Sequence, residues 1–155
     1  MTLAYRPNVG IMVLNEQNRV FMGYRNPEKG TNDFPWQMPQ GGIDDGEDVV
    51  EAAKRELFEE TGIKDVEVLS RTQEPFCYDF PTWSDSYQGI YRGQAQQWVL
   101  MRYKGEDVKA DFEKRRDNEF SDFKWEEIDF VLGQIVPFKK EVYEKMLAYF
   151  APMIK

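Results

Sequence analysis

A single domain that mixes strands and helices is what this sequence predicts, on three observations. Its 155 residues are enough to bury one core, and a second domain is not expected. Two runs rich in Val, Ile, Met and Phe, residues 8–14 and 19–25, flank the polar set Asn15-Glu16-Gln17-Asn18 and read as a β-hairpin. Residues 48–61 carry Val50, Ala53 and Leu57 on one face and run into Gly62, the pattern of an amphipathic helix followed by its stop signal.

The other elements follow in order. Residues 26–35 turn to Asn, Pro, Gly and Asp, a loop that delivers the short run Trp36-Gln37-Met38. Strand-like runs recur at 66–72 and 96–103. Between them, residues 75–93 form a long connection with Phe76, Tyr78, Phe80, Trp83, Tyr87 and Tyr91. Those aromatics either cover a sheet edge, wall a substrate or meet a second copy of the chain. The charged stretch 105–118 reads as a solvated loop, and 120–125 as another strand. Pro137 opens an amphipathic helix with Phe138, Val142, Met146 and Tyr149 on one face.

Composition narrows the chemistry. No apolar run approaches the ~18 residues of a membrane span, and the start lacks the basic and apolar regions of a secretory signal, so a cytoplasmic location is expected. The single Cys77 excludes an internal disulfide framework and is expected as a small buried hydrophobe. Histidine is absent, which removes the usual general base, the usual zinc ligand and the usual activator of a nucleophile. Catalysis must then rest on carboxylates, whose oxygens suit Mg²⁺, Mn²⁺ or Ca²⁺. A net charge of −8 argues against a broad nucleic-acid surface, so a polymer would be held by its end. A metal-bridged phosphate chain remains compatible with that charge. No protein partner is inferable.

The segment 41–63, GGIDDGEDVVEAAKRELFEETGI, concentrates those carboxylates. On a helix, Glu56 and Glu60 stand one turn apart on one side, with Glu59 beside both. Unaided, such a cluster weakens a helix by a few tenths of a kcal/mol per like-charged pair, whereas a divalent ion turns it into a coordination platform. The Gly41-Gly42 turn permits close approach and frees a carbonyl near Gln40 or Gly41 as another hard oxygen ligand. Glu47 is expected to cap or bond the turn. Arg55 is expected to point away from Glu56, toward Glu59, and to orient a carboxylate. The alternative is a solvated acidic helix, but the spacing of glycine, Glu47, Arg55 and the acids would arise by accident on the order of once in ten million sequences.

These residues match the full signature of the Nudix hydrolases, and the chain resembles that family. The resemblance implies an α/β/α sandwich with a mixed central sheet, one Nudix domain over residues 1–155, and hydrolysis of a phosphoanhydride assisted by Mg²⁺, with Mn²⁺ as a substitute. It implies Glu56 and Glu60 as metal ligands and Glu59 as a ligand or as a base acting through metal-bound water.

Beyond the box, Tyr5-Arg6-Pro7-Asn8-Val9-Gly10, Trp36-Gln37-Met38-Pro39-Gln40-Gly41-Gly42-Ile43, Gly93-Gln94-Ala95-Gln96-Gln97-Trp98, Glu119-Phe120 and Val136-Pro137-Phe138-Lys139 are similar to one branch. That branch holds the bacterial RNA 5′-pyrophosphohydrolases and the related dinucleoside polyphosphate hydrolases. The resemblance implies that Glu119 binds metal or activates water, the bland alternative being a surface acid. It implies substrate binding by Arg6, Arg25, Gln40, Gln94, Val136, Phe138 and Lys139, with Phe138 alternatively only a core residue. The implied substrate is a 5′-triphosphorylated RNA end or a dinucleoside polyphosphate; a nucleotide-binding module without catalysis would normally have lost the carboxylates retained here. Two departures stand out. Ala95 and Gln97 occupy positions where relatives carry lysines, and the 26–35 loop is longer than in many of them.

Overall fold

One long strand serves as the axis of the molecule. The computed structural model describes residues 3–30, 33–81 and 90–154. The chain runs through β1 (Ala4–Leu14), β2 (Val20–Arg25), β3 (Trp36–Gln37), β4 (Gln40–Gly42), α1 (Val49–Thr61), β5 (Val66–Arg71), β6 (Phe76–Asp79), β7 (Tyr91–Tyr103), α2 (Val108–Glu113), β8 (Phe120–Glu126), α3 (Ile128–Gly133) and α4 (Lys140–Phe150). The sheet order is β3-β2-β1-β7-β5, with β4 added to β1, β6 to β7 and β8 to β2. β1 and β7 pair in parallel, with Asn8 opposite Gln96 and Gly10 opposite Trp98; the other pairs are antiparallel. The edge of β1 facing away from β7 is shared: Leu14 pairs with Val20 of β2, whereas Asn8, Val9 and Gly10 pair with β4. The sheet therefore splits beside β1, and the split opens toward the end that carries the expected site.

Side chains alternate between the two faces of a strand, and β1 sorts its residues accordingly. Val9, Ile11 and Val13 join Val99, Met101 and the Ala52, Ala53 and Leu57 face of α1 in one core. Met12 and Leu14 join Trp98, Leu100 and the Val142, Met146 and Phe150 face of α4 in the other. Helices thus cover both faces of a mixed sheet, as expected. Among the described residues no helix is long and apolar enough to cross a membrane.

Helix α1 begins where its local chemistry dictates. The Asp48 carboxylate accepts from the N–H groups of Val50 and Glu51 at 3.0 and 3.2 Å. Gly62, at φ 75°, ends the helix by donating its N–H to the Phe58 carbonyl at 2.9 Å.

Elsewhere the structure corrects the expectations. The aromatic connection contains a strand, β6, and β7 begins at Tyr91 rather than at residue 96. The charged stretch holds a short helix, α2, capped by Asp107 and burying Phe112. Helix α3 was not expected at all. Pro137–Lys139 forms a 3-10 turn before α4, which shifts the phase of the helix so that Val142, Tyr143, Met146 and Phe150 are buried while Tyr149 is exposed. Cys77 is exposed, because β6 turns Tyr78 inward and therefore Cys77 outward. Trp83 and Tyr87 lie outside the described residues.

Candidate active site

The box carboxylates sit at graded depths along α1. Glu60 is only 4% exposed, and its Oε2 has no hydrogen-bond partner among the described residues. Burial, reinforced by the charges of Glu56 and Asp117, pushes its pKa up to about 9. The Glu56 side chain is largely covered and Glu59 is 40% exposed. Glu56 crosses directly under Gly41, so close that a β-carbon there would collide with its carboxylate. Burial raises the Glu56 pKa, and the adjacent Arg55 guanidinium only partly offsets it.

Arg55 ties this helix to the preceding turn. Its Nε and Nη2 each donate to Glu47 at 2.9 Å, Nη2 donates to the Gly42 carbonyl at 3.0 Å, and Nη1 donates to Glu56 at 2.8 Å. Glu59 lies further off, at 3.7 Å. Arg55 thus touches Glu56 directly instead of pointing away from it, because the long guanidinium reaches back across the turn. Glu47 also accepts the Asp44 N–H at 3.0 Å, as expected of a turn-bonding acid, and the paired Arg55 holds its carboxyl down at about 2.

The register of β4 decides which carbonyl faces the carboxylates. Ile11 donates to the Pro39 carbonyl and Ile43 to the Pro7 carbonyl, so the intervening Val9–Gly41 pair also exchanges its bonds across the ladder. Gly41's peptide groups are therefore turned to β1, whereas those of Gln40 and Gly42 point away from it. In agreement, the Gln40 N–H lies 3.5 Å from Glu60 Oε1 and the Gly42 carbonyl meets Arg55. Of the two carbonyls considered from sequence, Gln40's is the one directed toward α1.

Glu119 stands at the start of β8, held by its N–H to Asp117 at 3.1 Å and by an ion pair with Lys29 at 3.6 Å. Asp117 was missed from sequence, although it lies two residues before Glu119. Its pKa is raised, chiefly by burial, and both it and Glu119 add repulsion at Glu60.

On the opposite face of the sheet a cavity of about 610 Å³ opens. Arg6, Arg25, Gln40, Gln94, Val136, Phe138 and Lys139 all line it, so every residue expected to bind substrate is gathered there. Tyr78, Phe80, Trp36 and Tyr143 add aromatic wall. The Phe138 ring is half-buried, 5.9 Å from that of Tyr78, and takes part in both wall and core. Burial next to Arg25 pulls the Lys139 ammonium down to about 8. Arg6 reaches over Gly42, linking the cavity to the box turn. Ala95 and Gln97 project from the other face of β7, away from Gln94 and Gln96.

This arrangement fits a divalent cation by its chemistry. A buried carboxylate with an orphaned oxygen, a second covered carboxylate and a peptide carbonyl are hard oxygen donors whose mutual repulsion a cation would relieve. Among the described residues no three acidic side chains close on a single point, so the donors stand as an open ledge with Glu59 and Glu119 toward its rim. Tyr78 and Phe80, two of the aromatics that could wall a substrate, do line the cavity, whereas the buried setting of Asn8, Gln96 and Trp98 was not anticipated; the alternating Gln-x-Gln-x-Trp pattern was the available signal.

Comparison with known proteins agrees with the geometry. The profile of the NUDIX domain matches residues 4–146. An RNA pyrophosphohydrolase of Novosphingobium aromaticivorans is 43% identical over 156 aligned residues, covering 98% of this chain and 96% of that protein. One from Wolbachia pipientis is 40% identical, covering 97% and 92%. Among solved structures, the E. coli dihydroneopterin triphosphate pyrophosphohydrolase superposes with a TM-score of 0.65 at 17% identity, covering 94% of this chain and 99% of that one. A C. elegans Ap4A hydrolase superposes with a TM-score of 0.60 at 16% identity, covering 94% and 98%.

Proposed function

The chain belongs to the NUDIX-domain family of hydrolases, and from that membership we propose that it removes pyrophosphate from 5′-triphosphorylated RNA ends, leaving a 5′-monophosphate. One observation carries this reading: Gln40 belongs both to the carboxylate ledge, through its backbone, and to a cavity lined by cationic, amide and aromatic side chains. A triphosphate bound across Gln40 would meet metal ligands on one side and base-binding groups on the other. The relatives named RNA pyrophosphohydrolase, alike over nearly their full length, support RNA as the substrate.

Glu56, Glu60 and the Gln40 carbonyl would hold Mg²⁺, with Mn²⁺ as a substitute, and Glu59 and Glu119 would complete the set. When bound, the ion supplies positive charge that polarises phosphoryl oxygens and stabilises the departing pyrophosphate. Water adds to phosphorus, the anhydride bond between the α- and β-phosphates breaks, and the water proton passes to a carboxylate. Glu59 and Glu119 are the candidates for that proton. Arg6, Arg25 and the Gln40 and Gln94 amides bind phosphate oxygens, and Phe138 with Lys139 stacks on and donates to the adjoining nucleobase. Gly41 keeps the space in which Glu56 lies.

The second reading, hydrolysis of dinucleoside polyphosphates, draws support from the shared fold of the Ap4A hydrolase. The two are separated by kcat/KM with Mg²⁺ on a short 5′-triphosphorylated RNA and on diadenosine tetraphosphate, with Glu60→Gln as control. Preference for the RNA, abolished in the control, is expected. Preference for the dinucleotide would sink the RNA reading, and Mg²⁺-independent turnover would sink the metal assignment.

A further inference from the structure

Beneath the cavity floor lies a polar group of residues whose hydrogen bonds can be satisfied in only one way. Gln96 is wholly buried, at 0% exposure, and so is Trp98. The indole N–H of Trp98 reaches Gln96 Oε1 at 3.1 Å. An indole nitrogen can only donate, so this contact fixes which end of the Gln96 amide is oxygen. The Nε2 end is thereby turned the other way, where it donates to Asn8 Oδ1 at 2.7 Å and to Gln40 Oε1 at 3.0 Å. Both amide hydrogens of Gln96 are then used. Gln40 is obliged in turn to present its oxygen to Gln96, which leaves its own Nε2 as the polar end available to the cavity that it lines.

We infer that Gln96 and Trp98 are positioning residues that lock the Gln40 side-chain amide with its N–H₂ toward the substrate, so that this position donates to a phosphate oxygen and cannot present an acceptor. The inference rests on the proposed phosphoanhydride chemistry and adds a specific reason for the spacing Gln-x-Gln-x-Trp on β7. Residues 96 and 98 share one face of the strand, so the ring of one can set the amide of the other. The ring itself is immobilised across Gly10, where any β-carbon would stand 2.6 Å from it. Gln94 makes an instructive contrast. Its Oε1 is bonded by the Tyr78 hydroxyl, but a hydroxyl can donate or accept, so that contact does not fix which end of the Gln94 amide is oxygen. A free amide would lose part of its binding by turning its oxygen toward the anion. A locked one holds its donor in place before substrate arrives.

A double-mutant cycle tests the lock on the full-length protein, with thermal melts run in parallel. Gln40→Met is expected to lower kcat/KM on the order of ten- to a hundredfold, the effect of losing a hydrogen bond to a charged group. Gln96→Met should lower it by a smaller factor, on the order of two- to tenfold, because the released amide keeps its donor but holds it in place only part of the time. The double variant should be no worse than the poorer single variant by more than about twofold, because Gln96 acts only through Gln40. Multiplying losses, or full activity in Gln96→Met, would overturn the inference. Trp98→Phe keeps an aromatic ring and removes the N–H; it should lower kcat/KM in the wild-type background and not in Gln40→Met. If Gln96→Met does not fold, the Trp98→Phe cycle decides alone, and equal losses in both backgrounds would reduce the residue to packing. The cycle can be run on triphosphorylated RNA or on diadenosine tetraphosphate, so failure of the RNA reading leaves the lock to be judged on its own.

Discussion

At the Gln40 end of the sheet, the two faces carry opposite kinds of polar group. Toward α1 stand acceptors: Glu56, Glu60 and the Gln40 carbonyl, crowded and partly desolvated. In the cavity stand donors: the guanidinium groups of Arg6 and Arg25, the Lys139 ammonium and glutamine amides. The acceptor face is electrostatically unfavourable as it stands and calls for a cation. The donor face gathers cationic and amide groups around one cavity and calls for an anion. A metal-bound polyphosphate is complementary to both at once, which neither face alone would specify.

The largest expected effect lies on the acceptor face. Glu60→Gln should lower kcat on the order of a thousandfold or more, as loss of a metal ligand costs several kcal/mol of transition-state stabilisation. The same change should raise the Tm of the metal-free protein at pH 8 by a few degrees. The direction follows from linkage: the Glu60 pKa rises from 4.5 to about 9 on folding, so the folded state holds the extra proton across that window. Its contribution to stability is complete below about pH 4.5 and is lost as pH rises toward 9. A Glu60→Gln protein that melts below wild type under chelation at pH 8 would break the comparison.

Metal linkage sharpens it next. Saturating Mg²⁺ should raise the wild-type Tm more at pH 8 than at pH 6, because at the lower pH the ion must displace a firmly held proton. Equal shifts at both pH values, or a shift retained in Glu60→Gln, would contradict the assignment. Arg55→Met comes third. It removes the clamp between turn and helix and should cost about 1–2 kcal/mol after allowance for solvent screening at this partly open site, with kcat/KM falling on the order of tenfold. Unchanged denaturant stability would show the clamp to be dispensable.

On the donor face the effects are smaller and appear in KM. Phe138→Ala should raise KM for triphosphorylated RNA on the order of tenfold while affecting diadenosine tetraphosphate less, since one stacked base is worth ~1–3 kcal/mol. Equal losses on both substrates would assign Phe138 to packing. The smallest effect concerns Lys139, whose pKa is lowered from 10.5 to about 8. Its ammonium is lost as pH rises through 8, so KM for RNA should climb there, and this limb should be missing in Lys139→Gln.

What could be read beforehand was what short-range chemistry encodes. Helix α1 was legible because Asp48, the Ala53–Leu57 face and Gly62 act within a few residues of one another. The cavity residues were foreseen through resemblance, and the structure gathers all of them. Strand β6 escaped because Phe76–Asp79 becomes a strand only by pairing with β7, distant in sequence. Helix α4 was placed too early because Pro137 starts a 3-10 turn, whose tighter winding moved the buried position from Tyr149 to Phe150. Asp117 carries no local mark of importance and Gln96 only the alternation Gln-x-Gln-x-Trp; partial burial near Glu60 in one case and full burial beneath Gln40 in the other gives each its weight.

The parallel pairing of β1 with β7 has a consequence during synthesis. Asn8 and Gln96 stand 88 residues apart, so a chain emerging from the ribosome displays β1 and completes the acidic helix α1 long before β7 exists to receive them. Through that interval the apolar strand Val9–Leu14 lacks its principal neighbour, and a site that joins β4, α1 and β7 can close only once β7 has been made.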